Sequence, residues 1–359
     1  MKKYLFLASV AALSFTACTN ETEEYVGTGS VNQQKEIAFF PLSQKATRAA
    51  VTGAVFPTAY NFLISAYAVN AAKDYFGKTE YANETSTSIW SGVAGQKRYW
   101  PLSPETLNFL AVTKSDADGS NTTFGTAGAN FASKETVVLA DNRTTQHDLM
   151  YSYARAAVTK DGNTLSFNGG SNVAMTFYHA QSYVCFTVKA LNEATKDAGI
   201  VVTGIKLNDA VYNGTATVNL ANYDDDTESL AATLAWDGTA YTSATQYDVD
   251  VPGATNAFPV TVNSYTSALP AGDGLMIVPN PTKTEEVLNA SIGTFIVYYK
   301  MPGVDEVYEY EYTPTDVQKR MVPGTKYTFN VIFSLTEIKV EPVVQPWAAQ
   351  GYDVNIPNS

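Results

Sequence analysis

The sequence predicts an all-β protein built as two domains in tandem. From Ile37 onward, short runs of alternating apolar and polar residues are separated by clusters of Gly, Pro, Asn and Asp, and no long helical periodicity is present. The 23 tyrosines and 17 phenylalanines, with only 16% charged residues, make a composition that favours sheets. At roughly 150 residues per domain, the 359 residues correspond to about two domains.

The charge balance and the scarcity of soft ligands exclude several functions. The chain has 23 basic and 35 acidic residues and a net charge of −12, so a phosphate backbone would be repelled on average. Two Cys and two His are too few for a Cys or His metal cage or for a disulfide framework. We therefore expect no nucleic-acid partner, no resident metal and no cofactor.

The first residues form a secretion signal. Lys2 and Lys3 give a positive start, residues 5–12 are apolar, and small residues precede Cys18. The run Phe15-Thr16-Ala17-Cys18 resembles the lipobox of bacterial lipoproteins, in which the cysteine becomes the acylated first residue; an ordinary signal with an incidental cysteine is the alternative. Residues 1–17 are thus predicted to be a lipoprotein signal peptide, with lipidation at Cys18.

An acidic and flexible tether follows Cys18. Three glutamates within residues 21–24 precede the small residues 27–30, and such a segment cannot form a core. It is similar to the export signal of surface lipoproteins in Bacteroidetes, although a plain solvated linker explains it nearly as well. Cys185, the other cysteine, lies in an apolar run and is predicted to pack in the core.

Two hairpins are predicted in the body of the chain. The first joins the alternating runs 173–177 and 184–188 through residues 179–182. The second joins 295–300 to 308–312 through Met301-Pro302-Gly303, with one face of its second strand in solvent. Chain length and the long loops place a domain change near residue 180, which gives an N-terminal domain of residues 49–180 and a C-terminal domain of residues 181–359.

A short apolar strand lies before the first arginine of the chain. It contains Ile37, Phe39 and Phe40, and is followed by Arg48 and Ala49 in a segment of small residues. Arg48 is the first of only five arginines, so a protease with strict arginine preference meets it first. Cleavage there would remove residues 18–48, the tether with the strand, and would leave apolar side chains uncovered beside unpaired backbone groups.

The C-terminal segment is a candidate to fill that gap. Alternate residues from Tyr327 to Leu335 are apolar, and after Glu337 the pattern shifts by one residue, which requires a bulge or a new strand. Two prolines in the shifted segment cannot donate ladder hydrogen bonds and therefore suit an edge or an extended arm. The predicted donor arm covers residues 338–347, and the side chains assigned to it are Ile338, Val340, Val344 and Trp347.

Several motifs are informative through their order. They are the lipobox, the strand before Arg48, Tyr99-Trp100-Pro101 followed by Leu107-Asn108-Phe109-Leu110-Ala111, Asp148-Leu149-Met150-Tyr151, the predicted hairpin starting at Phe177-Tyr178-His179-Ala180, and Pro323-Gly324-Thr325-Lys326-Tyr327. In this order they resemble the fimbrillin family of Bacteroidetes, the Mfa-like and FimA-like pilins, over nearly the whole chain.

The resemblance implies a fold, a maturation route and partners. The fold would be two transthyretin-like β-sandwich domains in tandem. The chain would be exported as an outer-membrane lipoprotein, released by an arginine-specific protease at Arg48, and polymerised into a surface fimbrium by donor-strand exchange with other fimbrial subunits. Its role would be that of a structural or tip subunit in adhesion to host glycans or proteins.

Enzymatic activity is not predicted, and one other function stays open. His147 and His179 are the only histidines, no Gly-x-Ser-x-Gly motif is present, and both are interpreted as structural. Acidic loops at 116–118 and 224–228 could bind calcium but are interpreted as solvated turns. The alternative is a monomeric glycan-binding surface lipoprotein whose aromatic side chains stack on sugars. Its tryptophans are scattered along the chain and are equally explained as buried anchors, namely Trp90, Trp100, Trp236 and Trp347.

Overall fold

The protein is built almost entirely from strands. The computed structural model describes residues 35–43, 54–58, 60–83, 88–114, 122–124, 134–139, 147–161, 164–168, 172–211, 213–220, 230–236, 246–250, 258–259, 266–267, 274–279, 293–315 and 321–346. Strands account for 65% of it and helix for 3%, which confirms the predicted all-β class. No helix within these ranges is long and apolar enough to cross a membrane.

The described residues form twenty-three strands and one short helix. Up to the middle of the chain they are β1 (Ala38–Ser43), β2 (Ala54–Val55), β3 (Phe62–Ala68), β4 (Lys73–Ala82), β5 (Ser91–Gly92), β6 (Glu105–Thr113), β7 (Thr122–Phe124), β8 (Lys134–Leu139), β9 (Met150–Asp161), β10 (Thr164–Asn168), β11 (Asn172–His179) and β12 (Ser182–Ala190). The remainder are α1 (Glu193–Asp197), β13 (Val201–Val211), β14 (Gly214–Leu220), β15 (Ala232–Trp236), β16 (Gln246–Asp250), β17 (Phe258–Pro259), β18 (Thr266–Ser267), β19 (Leu275–Ile277), β20 (Phe295–Lys300), β21 (Tyr308–Tyr312), β22 (Thr325–Phe333) and β23 (Ile338–Pro346).

These strands form four sheets. The largest has nine strands in the order β2-β1-β11-β9-β6-β3-β4-β5, with β10 paired to β9. Two sheets have five strands each, one ordered β18-β12-β22-β23 with β19 on β12, the other β16-β13-β20-β21 with β17 on β13. The fourth is β15-β14-β8-β7, so it joins strands from both sides of residue 180. The division at residue 180 into two domains stays a prediction.

The nine-stranded sheet is buried on both faces at its centre. All seven residues of β3 are buried, and alternate side chains serve two different cores. Phe62 and Ile64 pack with Phe109 in the first core, which lies on the inner face of this sheet. Leu63, on the other face, belongs to a second core that includes Trp236 of the four-stranded sheet. This explains why β3 is apolar on both faces, with Ser65 as its one polar residue, instead of alternating between apolar and polar residues.

The third core lies between the two five-stranded sheets. Phe186 of β12, Phe295 of β20 and Phe329 of β22 are fully buried there. Their ring centroids are 5.0 to 5.6 Å apart, within the range of favourable aromatic pairs. Because these residues alternate with outward-facing ones on each strand, the two sheets form a β-sandwich.

The predicted hairpin between the runs 173–177 and 184–188 is wrong. β11 lies between β1 and β9 in the nine-stranded sheet, whereas β12 pairs in parallel with β22 in another sheet. The connecting residues are anchored individually: the Ala180 N–H donates to the Leu149 carbonyl (2.8 Å), and Ser182 Oγ donates to the Val322 carbonyl (2.7 Å). Period-two alternation identifies each strand but carries no information about its partner.

The other strand predictions are confirmed. β20 and β21 form an antiparallel hairpin in the register Phe295↔Tyr312. β22 ends at Phe333, and the shift in pattern after Glu337 corresponds to a new strand, since β23 returns antiparallel to β22 from Phe333↔Ile338 to Thr325↔Pro346. β23 has no second neighbour among the described residues, so its prolines lie on an edge strand as expected.

One buried threonine is expected to be important for the stability of the nine-stranded sheet. Thr113 Oγ1 donates to the Asp148 carbonyl (2.9 Å) and accepts from the Met150 N–H (2.8 Å). Thr113→Val keeps the shape but leaves both groups without this partner, so it should lower the free energy of unfolding by about 1–3 kcal/mol. Urea denaturation would measure this. Thr159→Val, at an exposed position of β9, is the matched control and should change it by less than about 0.5 kcal/mol.

Candidate functional site

Strand β1 closes the nine-stranded sheet on itself. On one side it runs parallel to β11, from Ala38↔Asn172 to Ser43↔Phe177. On the other side Phe39 exchanges two backbone hydrogen bonds of 2.9 Å with Trp90, and the Ile37 N–H donates to the Arg98 carbonyl (2.8 Å). Trp90 directly precedes β5, which lies at the opposite end of the sheet order. The six-residue strand thus lies between β11 on one side and, on the other, the Trp90 segment beside Phe39 and β2 beside Leu42 and Ser43.

The inner face of β1 inserts into the first core. Ile37 and Phe39 are 0% exposed, and Pro41 is also buried, whereas the alternating residues are half-buried. The Phe39 ring makes edge contacts with Tyr81 (4.8 Å), Phe109 (5.2 Å) and Phe62 (5.9 Å). Full burial of a side chain of this size stabilises by about 1.5–3 kcal/mol. The hydrophobic contribution of β1 therefore rests mainly on Ile37 and Phe39.

The environment of Tyr81 reports on the presence of β1. Burial raises the pKa of the Tyr81 hydroxyl well above its usual value, Glu36 raises it further, and Arg98 partly opposes the change. Glu36 precedes β1 and forms an ion pair with Lys97 (2.9 Å) whose members are 26% and 51% exposed. An exposed pair of this kind contributes about 0–1 kcal/mol, so it adds little to the retention of β1.

The residues around the predicted cleavage site divide into two groups. Arg48, Ala49 and Cys18 lie outside the described residues. Phe56, which follows them, is fully buried and contacts Trp90 (5.6 Å) and Phe177 (4.5 Å). Phe56 would therefore stay with the body after a cut at Arg48, whereas Ile37 and Phe39 would leave.

Strand β23 covers the third core only partly. Ile338, Val340 and Pro342 are half-buried over β22, whereas Val343 and Val344 are 43% and 52% exposed. A four-residue turn joins the two strands, and Ser334 Oγ accepts the Glu337 N–H (2.9 Å) within it. Trp347 lies outside the described residues. The predicted donor side chains Ile338, Val340 and Val344 thus lie on one edge strand that is less buried than β1.

A polar cavity of about 300 Å³ lies on the outer side of the large sheet. Leu63, Lys78, Glu80, Gln96 and Arg98 line it. The carboxylate of Glu80 already has partners within the protein. Its Oε1 accepts hydrogen bonds from Lys114 Nζ (3.0 Å) and from Asn61 Nδ2 (2.8 Å). The cavity was not predicted from the sequence, because its residues are scattered over separate strands and loops.

The histidines and acids form no recognisable reaction centre in the described part of the chain. His179 Nδ1 lies 2.9 Å from Asp148 Oδ1, with the imidazole buried at the end of β11. No cluster of three or more His, Cys, Asp or Glu residues that could hold a metal occurs within the described residues. The acidic loops at 116–118 and 224–228 lie outside those ranges.

A family model described as fimbrillin-like matches residues 47–347. This chain belongs to the fimbrillin-like family. A search of the curated proteins finds no match. Several solved structures are similar to this fimbrillin-like chain. One is a putative cell adhesion protein from Bacteroides uniformis, with 17% identity and a TM-score of 0.47, and the match covers 88% of this chain and 100% of that one. A second is a putative cell adhesion protein from Bacteroides ovatus, with 13% identity and a TM-score of 0.50, and the match covers 89% of this chain and 100% of that one. Another is the tip fimbrial protein Mfa3 from Porphyromonas gingivalis with a C-terminal truncation. It is 13% identical, with a TM-score of 0.43, and the match covers 88% of this chain and 100% of that one.

The tryptophans of the fimbrillin-like chain act as anchors where they are described. Trp90, Trp100 and Trp236 are 1%, 1% and 4% exposed. Trp90 Nε1 donates to the Tyr60 carbonyl and Trp236 Nε1 to the Ala180 carbonyl, each at 2.9 Å. None of these three indoles presents a face for stacking on a sugar, whereas Trp347 lies outside the described residues.

Phe39 is expected to be the most sensitive position of β1 in the fimbrillin-like chain. Phe39→Ala removes a fully buried ring and should lower the free energy of unfolding by about 3–5 kcal/mol. Phe40→Ala is the matched control on the half-buried face of the same strand and should cost about 1 kcal/mol. Urea denaturation of both variants measures the difference. Equal losses would mean that the two faces of β1 do not differ as described.

Proposed function

We propose that this fimbrillin-like chain is a structural or tip subunit of a fimbrium that serves adhesion. It is exported as a lipoprotein with the lipid on Cys18, matured by cleavage after Arg48, and polymerised by donor-strand exchange. The observation that carries the proposal is the position of β1 between β11 and the Trp90 segment of the same sheet. Removal of such a strand leaves a gap with unpaired backbone groups on both sides, which an extended segment can fill by strand addition.

The energetics favour refilling of this gap. Loss of β1 uncovers the rings of Phe62, Tyr81 and Phe109, together with the backbone of Trp90 and β11. A contiguous apolar patch flanked by unpaired backbone donors and acceptors is a binding surface or a site of aggregation. A strand from a neighbouring subunit would satisfy both the hydrogen bonds and the apolar contacts, and would make each subunit depend on the next.

The C-terminal edge strand supplies the donor in this proposal. β23 pairs on one side only among the described residues, and its apolar side chains are half-buried at most. Release of such a strand exposes less apolar surface than release of a central one. Membership of the family supports other fimbrial subunits as partners and the cell surface as the location. Before maturation, the lipid would hold the precursor at the outer membrane.

Cleavage at Arg48 should switch the protein from monomer to oligomer. We expect an arginine-specific protease to cut the full chain after Arg48 and to produce concentration-dependent oligomers, because the gap left by β1 then accepts a strand from another copy. Arg48→Lys is the matched control, since it keeps the charge but removes the cleavage site. Mass spectrometry identifies the cut and light scattering follows the oligomers.

The role of the donor arm, residues 338–347, is tested with the same protease treatment. A chain truncated before Ile338, or one with Val340→Asp, should be cleaved normally and remain monomeric. Cleaved wild-type protein that stays monomeric at all concentrations, or oligomers that form without cleavage, would contradict the proposal.

Removal of β1 should also lower the pKa of Tyr81. The raised pKa results from burial and from Glu36, both lost with residues 18–48. Folding raises the pKa of Tyr81 above its unfolded value of 10.0. The stability that the neutral phenol provides is therefore fully present below pH 10.0 and is lost as the pH rises from there through the pKa of the folded state. Alkaline NMR titration of isotope-labelled tyrosine in the cleaved Val340→Asp chain, freed of its N-terminal fragment, should show Tyr81 titrating nearer 10.0 than in the intact chain.

Tyr178 is the internal control for this titration. Its pKa is raised by burial and by Tyr153, and it lies on the other face of the large sheet, where it stacks on Tyr153 (5.8 Å). Its titration should be unchanged by cleavage. A Tyr81 signal that does not move after loss of the fragment would show that the aromatic pocket does not depend on β1.

A further inference from the structure

The strand that would leave and the arm that would replace it share a sequence pattern. Around β1 the chain reads Ile37-Ala38-Phe39-Phe40-Pro41-Leu42, and the arm reads Ile338-Lys339-Val340-Glu341-Pro342-Val343. Isoleucine and proline occupy the same two positions, and a large apolar residue lies midway between them. In β1 these three positions are the buried ones, and in β23 they are the half-buried ones.

The groove that β1 occupies, between β11 and the Trp90 segment, sets two requirements for any strand that replaces β1. First, the positions of Ile37, Phe39 and Pro41 must be apolar, because the surroundings are fully buried. Second, the positions of Ile37 and Phe39 must donate a backbone N–H, to the carbonyls of Arg98 and Trp90 respectively. A buried carbonyl that loses its donor costs about 1–3 kcal/mol.

Given the proposed strand exchange, on which this inference rests, we infer that the arm of a second copy enters the groove in a single register. Ile338 takes the place of Ile37, Val340 that of Phe39 and Pro342 that of Pro41, with the arm parallel to β11. Both N–H groups that the groove requires are then supplied, by Ile338 and Val340. The proline falls where β1 itself has a proline, so no further donor is lost.

Neighbouring registers fail one of the two requirements. A shift by one residue places the charged Lys339 or Glu341 in fully buried positions. A shift by two residues in one direction places Pro342 at the position of Phe39, where the N–H to the Trp90 carbonyl would be missing. The opposite shift places Thr336 in the apolar surroundings of Ile37. Of these registers, only the inferred one meets both requirements of the groove.

Arm residues on the other face report the register directly. Phe40 lies opposite the exposed Ala174 of β11. In the inferred register Glu341 takes the place of Phe40, so a cysteine there should form a disulfide with a cysteine at position 174. Lys339 and Val343 would lie two residues away on either side and should not.

Cross-linking of a peptide to the cleaved chain tests this. The full chain with Ala174→Cys is cleaved after Arg48 in excess labelled peptide of sequence Ile338–Pro346 that carries Glu341→Cys, Lys339→Cys or Val343→Cys. Cross-linking through position 341 should be at least about tenfold faster than through either of the others. The buried Cys185 is common to all samples and serves as the background.

The pocket of Phe39 provides an affinity test. Val340 is smaller than the ring it would replace, so the Val340→Phe peptide should bind about tenfold more tightly than the wild-type peptide. Lys339→Ala, on the opposite face at the position of an alanine in β1, is the matched control and should bind as the wild type does. An unchanged or weaker affinity for Val340→Phe would contradict the inferred register.

The possible failures are distinguishable. Oligomers that form while the cross-link runs through position 339 or 343 would overturn the register and leave strand exchange intact. Failure of all the peptides to bind, in a chain that also fails to oligomerise after cleavage, would contradict strand exchange itself.

A graft tests the register in the uncleaved chain. The arm sequence is placed on β1 in the inferred frame by four substitutions, Ala38→Lys, Phe39→Val, Phe40→Glu and Leu42→Val. Its urea midpoint should lie within about 0.3 M of that of the double variant Phe39→Val, Phe40→Ala, which carries the same losses at these two positions. A graft shifted by two residues, which includes Phe39→Pro, should lie at least about 1 M lower. A shifted graft that is as stable as the one in frame would overturn the inference.

Discussion

A sheet whose two ends approach each other must satisfy the backbone groups at both ends, and here a single strand meets that requirement. β1 pairs with β11 on one side and with the Trp90 segment on the other, and the same six residues insert Phe39 between three aromatic rings. The backbone hydrogen bonds that complete the sheet and the aromatic contacts of the first core thus both depend on β1. The first core is complete only while some strand occupies this position.

The two strands proposed to exchange differ in burial rather than in pattern. Ile37 and Phe39 are fully buried, whereas Ile338 and Val340 remain half-buried beside β22. Moving an arm from the edge of one sheet to the closing position of another replaces one set of ladder bonds with another. The apolar side chains of the arm would meanwhile become more fully buried, and this burial would give the proposed exchange its direction.

Local alternation allowed much of the strand content to be predicted, because the side-chain period of two is written in the sequence. It identified β20, β21, β22 and β23, including the shift after Glu337 and the edge character of β23. The partners of β11 and β12 were predicted incorrectly, since a two-residue connection can either reverse the chain within a sheet or lead into another one. The strand before Arg48 was predicted as removable, but its parallel pairing with the distant β11 was not. The sequence around Ile37 contains no signal for a partner so far along the chain.

The four-stranded sheet has a consequence for how the chain folds as it is synthesised. Its strands β7 and β8 come from the first half of the chain, yet β8 pairs with β14 from the second half, from Gly214↔Leu139 to Asn219↔Lys134. A polypeptide that emerges with its N-terminus first presents β8 long before β14 appears. The first half therefore cannot finish folding alone. A chain stopped between β8 and β14 would leave an open strand edge exposed to neighbouring chains, and pairing between such remote parts of the sequence slows folding.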